Sequence, residues 1–139
     1  MTTGRDEVAE VLAPVLSAFH SIGEEPLQAV WWFCRDGSTS ELVLDFGAVS
    51  LVVIADENDD SIGIAGAETV TLCNAGRTCG SHLEPWSRLI GKPFGWGWVT
   101  VNQQGYCDGL LLSFGGIVPQ VSLNVVASSI KVATVAQCA

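Results

Sequence analysis

Sliding the sequence against itself by 68 residues, without a gap, sets Ile22-Gly23 on Ile90-Gly91 and Gly37 on Gly105. It also sets Leu42, Leu44, Phe46 and Gly47 on Leu110, Leu112, Phe114 and Gly115, Val53 on Val121, and Ser61-Ile62 on Ser129-Ile130. The matches fall on turns, stops and alternating apolar positions, which dictate backbone path. They imply a pseudo-repeat over residues 15–66 and 83–134. The competing reading is that any two helix-plus-strand units share such punctuation. Halves of this size each bury too little surface to fold alone, so residues 1–139 are expected to form a single domain. Two copies of so long a period exclude a solenoid.

Residues 5–21 place Val8, Val11, Leu12, Val15, Leu16 and Phe19 on one face of a helix. Thr3 and Asp6 mark its start and Gly23 its stop, while Pro14 predicts a kink or two shorter pieces. From residue 27 onward, LQAVWWFCR, ELVLDF and VSLVVIA read as strands, with Asp36-Gly37 as a hairpin turn. Residues 62–73 predict a short irregular strand or two, and residues 74–81 a loop. Ser81-His82-Leu83-Glu84 is a capping box and predicts a second helix that buries Leu83, Trp86, Leu89 and Ile90 and ends at Gly91. Four more strands follow, FGWGWVTVN, CDGLLLSF, VSLNVVA and IKVATV, the first pair separated by Gln104-Gly105. The expected class is α+β: two similar helix-plus-antiparallel-strand halves forming one predominantly antiparallel sheet, with two helices packed against it. The other face of such a sheet needs cover, which points to a homodimer.

Fifteen acids against six bases give a net charge of −9. Neutralising phosphates takes lysine and arginine, so the balance excludes nucleic acid as a partner and disfavours anionic membranes. A hydrophobic fraction of 48% excludes a disordered chain. The N-terminal stretch carries acids where a signal peptide carries bases, and the densest apolar run, Leu51 to Ala55, falls far short of the ~20 residues of a membrane span. A cytoplasmic protein is expected. The odd cysteine count (Cys34, Cys73, Cys79, Cys107, Cys138) then fits reduced thiols, mostly packed as small hydrophobes.

Cys73, Cys79 and His82 form the most metal-like constellation, although zinc sites favour tighter cysteine pairs and a fourth ligand. The alternative is two ordinary cysteines beside a histidine in a helical first turn. No phosphate-binding glycine loop, hydrolase elbow or cofactor fingerprint occurs, so no cofactor is expected. In a regular strand Trp96 and Trp98 share one face and Gly95 and Gly97 the other, so the indoles either make a platform for a partner or, more commonly, fill the core. The stretch Asp56, Glu57, Asn58, Asp59, Asp60 is a charged loop without calcium-loop spacing. With Glu24, Glu25, Asp36 and Asp45 it makes a negative field that steers a basic partner.

The run Asn102-Gln103-Gln104-Gly105-Tyr106-x-Asp108-Gly109-Leu110-x-Leu112-x-Phe114, then Val121-x-Leu123 and Ala127-Ser128-Ser129-Ile130, resembles an uncharacterised group of small acidic bacterial cytoplasmic proteins. Some of these look like immunity proteins of polymorphic toxin systems. The resemblance covers mainly residues 83–135 and implies a protein that neutralises a toxin by binding it. It carries over no functional residue. The first expectation is therefore a non-enzymatic protein-binding module, immunity-like, that meets a basic partner through Trp96, Trp98, Asp56, Glu57, Asp59 and Asp60. The alternatives are a small-molecule or metal-dependent enzyme using the Cys73/Cys79/His82 region, and a structural homodimer.

Overall fold

Asp36 and Gly37 both take left-handed backbone, with φ of 51° and 80°. A two-residue hairpin turn requires that geometry, and it folds β1 (Ala29–Arg35) onto β2 (Ser38–Asp45). The computed structural model describes residues 4–56 and 60–135, with the backbone alone for residues 4–11. A helix, α1 (Gly4–Ile22), precedes the hairpin, and β3 (Val49–Ala55) and β4 (Ile62–Glu68) continue it as an antiparallel meander. A two-residue strand, β5 (Thr78–Cys79), pairs with the outer side of β1 and gives a five-stranded sheet of order β4-β3-β2-β1-β5. A second antiparallel meander follows, β6 (Phe94–Val101), β7 (Cys107–Phe114), β8 (Val121–Val126) and β9 (Ser129–Thr134), as a separate four-stranded sheet.

Period-2 alternation makes both meanders two-faced. Leu42, Leu44, Leu51, Val53, Ile62 and Ile64 of the first sheet join Leu110, Leu112, Phe114, Val121 and Leu123 of the second in one buried cluster. Helix α1 packs on β3, β4 and β6, adding Val15, Ala18, Phe19 and Ile22 to that cluster. The Phe19 ring lies where a Cβ on Gly97 would be, so β6 needs glycine there. Residues 68 apart touch at two places: the Phe46 and Phe114 rings stack, and the Ser128 N–H donates to Asp60 Oδ1 at 2.8 Å.

Seven of the strands and the hairpin turns lie where the sequence placed them, but β5 falls in the stretch 74–81 expected as a loop, and the α+β architecture does not hold. The fold is mostly β, with two antiparallel sheets and one helix, in place of two helices packed on one sheet. Residues 81–90 form turns around a 3₁₀ segment, Trp86–Arg88. The Ser81 hydroxyl, expected to cap a helix, instead accepts the Val30 N–H at 2.9 Å, and Glu84 accepts from Arg88 and Ser87. A stretch this short also nucleates a helix poorly, and Pro85 offers no N–H. Trp86 and Leu89 are buried all the same. Each sheet covers the inner face of the other, with α1 between them at one side, and each keeps a second face directed outward.

Three smaller expectations change too. Helix α1 runs through Pro14 in one piece, and Leu16, assigned to its buried face, is 53% exposed. Residues 62–68 form a regular strand. Among the described cysteines, all free, only Cys107 is fully buried. Thr3, Glu57, Asp59 and Cys138, and the side chains of Val8 and Val11, lie outside the described residues.

Leu44→Ala removes a fully buried side chain and is expected to cost about 2–5 kcal/mol. Leu16→Ala, on the exposed side of α1, is expected to cost less than about 1 kcal/mol. Urea unfolding midpoints compare the two, and equal losses would contradict the assigned helix face.

Candidate partner-binding surface

The register across β1–β4 sets Phe33, Glu41, Ile54 and Gly63 in one row and Trp31, Val43, Val52 and Ala65 in the next. Their chain neighbours Val30, Leu42, Leu51 and Val53 point into the core, so both rows lie on the outward side, where Val43 is itself buried and Trp31 and Val52 are partly covered. Phe33 is 38% and Ile54 47% exposed. They lie in a shallow groove of about 510 Å³, shared with Arg35, Ser40, Glu41 and Asp56. Asp56 begins the acidic β3–β4 loop, whose ends are tied by the Asp56 N–H donating to Ser61 O at 2.9 Å. The aromatic neighbour of that loop is therefore Phe33.

The segment between β4 and β5 is organised by Arg77. Its guanidinium reaches over β1 to Glu41 on β2, with Nη2 2.5 Å and Nε 2.6 Å from Oε1. Nη1 also donates to the Cys73 carbonyl at 2.6 Å and to Asn74 Oδ1 at 3.3 Å. With both side chains largely covered, this pair is screened less than a surface bridge. Behind the loop, Trp32 packs its ring against Gly80, where any Cβ would overlap the indole.

Cys73 and His82 are exposed and Cys79 is half-buried. Among the described residues no three histidine, cysteine or acidic side chains are grouped to hold a metal ion. The structure gives Cys79 a different partner, donating to the Ser81 hydroxyl at 3.4 Å. That hydroxyl can turn to donate to a thiolate, and with the Ser81 amide it holds the Cys79 thiol below its ordinary range. Burial, and secondarily the Asp108 carboxylate, pushes the Cys107 thiol up.

The two predicted tryptophans part company with the acidic loop. β6 is bulged between Phe94 and Gly97, so Gly95 faces Ser113 and Gly116 while Gly97 faces Phe19, and the expected one-sided pair of glycines is lost. The bulge is held by the buried Ser113 hydroxyl, which accepts the Trp96 N–H at 2.7 Å and donates to the Gly116 carbonyl at 2.6 Å. Trp96 is 57% exposed and Trp98 half-buried, whereas the fully buried indole is Trp86. Asp60 sits against Ser128, in the turn between β8 and β9, at the opposite corner of the sheet from Trp96. Three strand spacings and the run along the strands separate them by roughly 20 Å or more.

Phe33, Ile54 and the Arg77–Glu41 pair escaped the sequence reading. The available signal was that ELVLD and VSLVVI are apolar on both faces, Val43, Val52 and Ile54 included, beyond what one core requires.

A family model, described as a family of unknown function (DUF6334), matches residues 14–139. The chain belongs to the DUF6334 family. The matched region takes in both sheets and all but the first part of α1, so the outward face of β1–β4 lies within the DUF6334 domain. No curated protein and no solved structure matches the chain.

Because Ser81 lowers the Cys79 pKa, iodoacetamide should alkylate Cys79 in this DUF6334 protein along a pH–rate profile set at lower pH than in Ser81→Ala. Peptide mapping by mass spectrometry measures both profiles, and coincident curves would contradict the Cys79–Ser81 interaction.

Proposed function

We propose that the chain is a non-enzymatic protein-binding module whose outward sheet face engages a basic partner. The observation that carries this reading is the exposed apolar pair Phe33 and Ile54, flanked by the partly buried Trp31 and Val52, beside the acidic β3–β4 loop. Exposed apolar surface rimmed by polar groups marks interaction sites. The second meander supports the point by contrast, because the residues 68 positions after Val52 and Ile54 are Gln120 and Ser122. The apolar pair Val52 and Ile54 is thus particular to the first sheet, while the outward rows of the second include Trp98 and Leu111. The net charge of −9 adds long-range attraction for a basic protein and repulsion of an acidic one.

The aromatic part of the contact is built on Phe33 and Trp31, while Trp96 and Trp98 stand apart from the acidic loop. An immunity-like role is the specific form we favour: the chain masks a basic toxin by covering its surface, in the cytoplasm. The two meanders are read as pseudo-symmetric copies. The Phe46–Phe114 and Asp60–Ser128 contacts support this, since equivalent residues of two copies touch only near a shared axis.

Affinity capture from the native lysate tests the proposal, with the wild-type chain, Ile54→Lys and Trp96→Ala immobilised side by side. The expected result is a basic protein held by the wild type and Trp96→Ala, released as salt rises, and absent from Ile54→Lys. Retention that ignores both salt and Ile54→Lys, or no retained partner at all, overturns it.

A further inference from the structure

β4 is an edge strand without the usual protection. It ends the five-stranded sheet, and all seven of its residues pair with β3 in unbroken register, from Ile62 opposite Ala55 to Glu68 opposite Val49. Proteins blunt exposed edges with proline, lysine, a bulge or a covering element. Residues 62–68 hold no proline, lysine or arginine and no bulge. The other edges are treated differently: β5 caps β1, β6 is bulged twice, and β9 lies against β2 and β3 of the facing sheet. In an antiparallel ladder every second residue of an edge strand directs its N–H and C=O outward. Among the described residues, the hydrogen bond that β4 makes beyond β3 is the one its Glu68 carbonyl accepts from the Thr71 hydroxyl.

A groove of about 490 Å³ runs along this edge, with α1 as its far wall. Ser17 and Ser21 of the helix and Ala65, Gly66 and Ala67 of the strand line it, all short enough to let another backbone approach. Glu68 is the charged residue in the lining, and no lysine or arginine contributes.

We infer that the groove between β4 and α1 accepts an extended, basic segment of a partner protein as an added sixth strand. The unpaired backbone groups of β4 supply strand-to-strand hydrogen bonds, and α1 confines the segment to the sheet plane. Glu68 and the net charge of −9 select lysine or arginine in the segment. A second copy of this chain is a poorer occupant, because it brings a further net charge of −9. The inference rests on the proposed function only in taking the partner to be a basic protein, and it concerns a separate surface.

Isotope-labelled full-length chain is titrated with an acetylated peptide of alternating lysine and valine, followed by amide NMR and hydrogen exchange. Shifts and slowed exchange are expected at residues 62–68 and on α1, with affinity falling roughly tenfold or more in Ser17→Phe and in Ala67→Lys. The two variants block the groove from opposite walls, so one remains informative if the other fails to fold. Ile54→Lys, which disables the outward sheet face, should bind the peptide normally, so each surface fails or stands separately. The inference is overturned if shifts fall elsewhere, if a glutamate–valine peptide binds as well, or if nothing binds. It is likewise overturned if light scattering shows a dimer with β4 already protected in the free protein, which would make the occupant a second copy.

Discussion

Phe46 and Phe114 stack with their centroids 6.2 Å apart and their planes 10° from parallel. Phe94 meets each of them edge-on, at 5.6 and 6.3 Å, and Phe19 joins from α1 at 5.6 Å from Phe94. Offset and edge-to-face pairs suit the charge distribution of aromatic rings, and all four side chains are buried. The cluster ties the end of β2, the end of β7, the start of β6 and the helix into one body. Beside it, the backbone stitches the approaches to β1 and β6 together: Leu27 N–H donates to Lys92 O, Gly91 N–H to Leu27 O, and Phe94 N–H to Glu25 O, at 2.7–3.1 Å. Two sheets that share no strand ladder are held in one core by these contacts.

The shared core determines what is left for function. Each sheet spends its inner face on the other, so the proposed partner recognition is confined to outward faces and edges. On the second sheet the outward face has rows of Trp98, Leu111, Ser122 and Ala133, and of Thr100, Gly109, Asn124 and Lys131, a mixed surface. On the first it carries Trp31, Phe33, Val52 and Ile54, with carboxylates at the margin. The Arg77–Glu41 pair and the Trp32–Gly80 contact close the β1 edge of that sheet and leave the β4 edge open. The two meanders therefore differ in the side chains that they present outward.

Much of the strand pattern was legible because local rules produce it. Alternation set the inward residues, and Asp36-Gly37 and Gln104-Gly105 set the hairpins. The division into two sheets was not legible. Whether β6 pairs with β4 depends on how residues 69–93 travel, and no periodicity describes that path. The second helix failed because Ser81 and Glu84 have the right chemistry for a cap but spend it on Val30 and Arg88. The regular alternation expected around Trp96 and Trp98 fails because one bulge, fixed by Ser113 seventeen residues away, interrupts β6. Arg77 and Glu41 lie 36 residues apart, and nothing local in either segment announces the pair.

The central claim is that both sheets and α1 form one cooperative core seated on the phenylalanine cluster. Native-state hydrogen exchange measured amide by amide across increasing denaturant tests it most directly. The account predicts that the slowest amides of β2 and β3 and those of β7 and β8 open with one common free energy, and that Phe114→Leu lowers all of them together. Two distinct opening free energies, with Phe114→Leu affecting the second sheet alone, would contradict it.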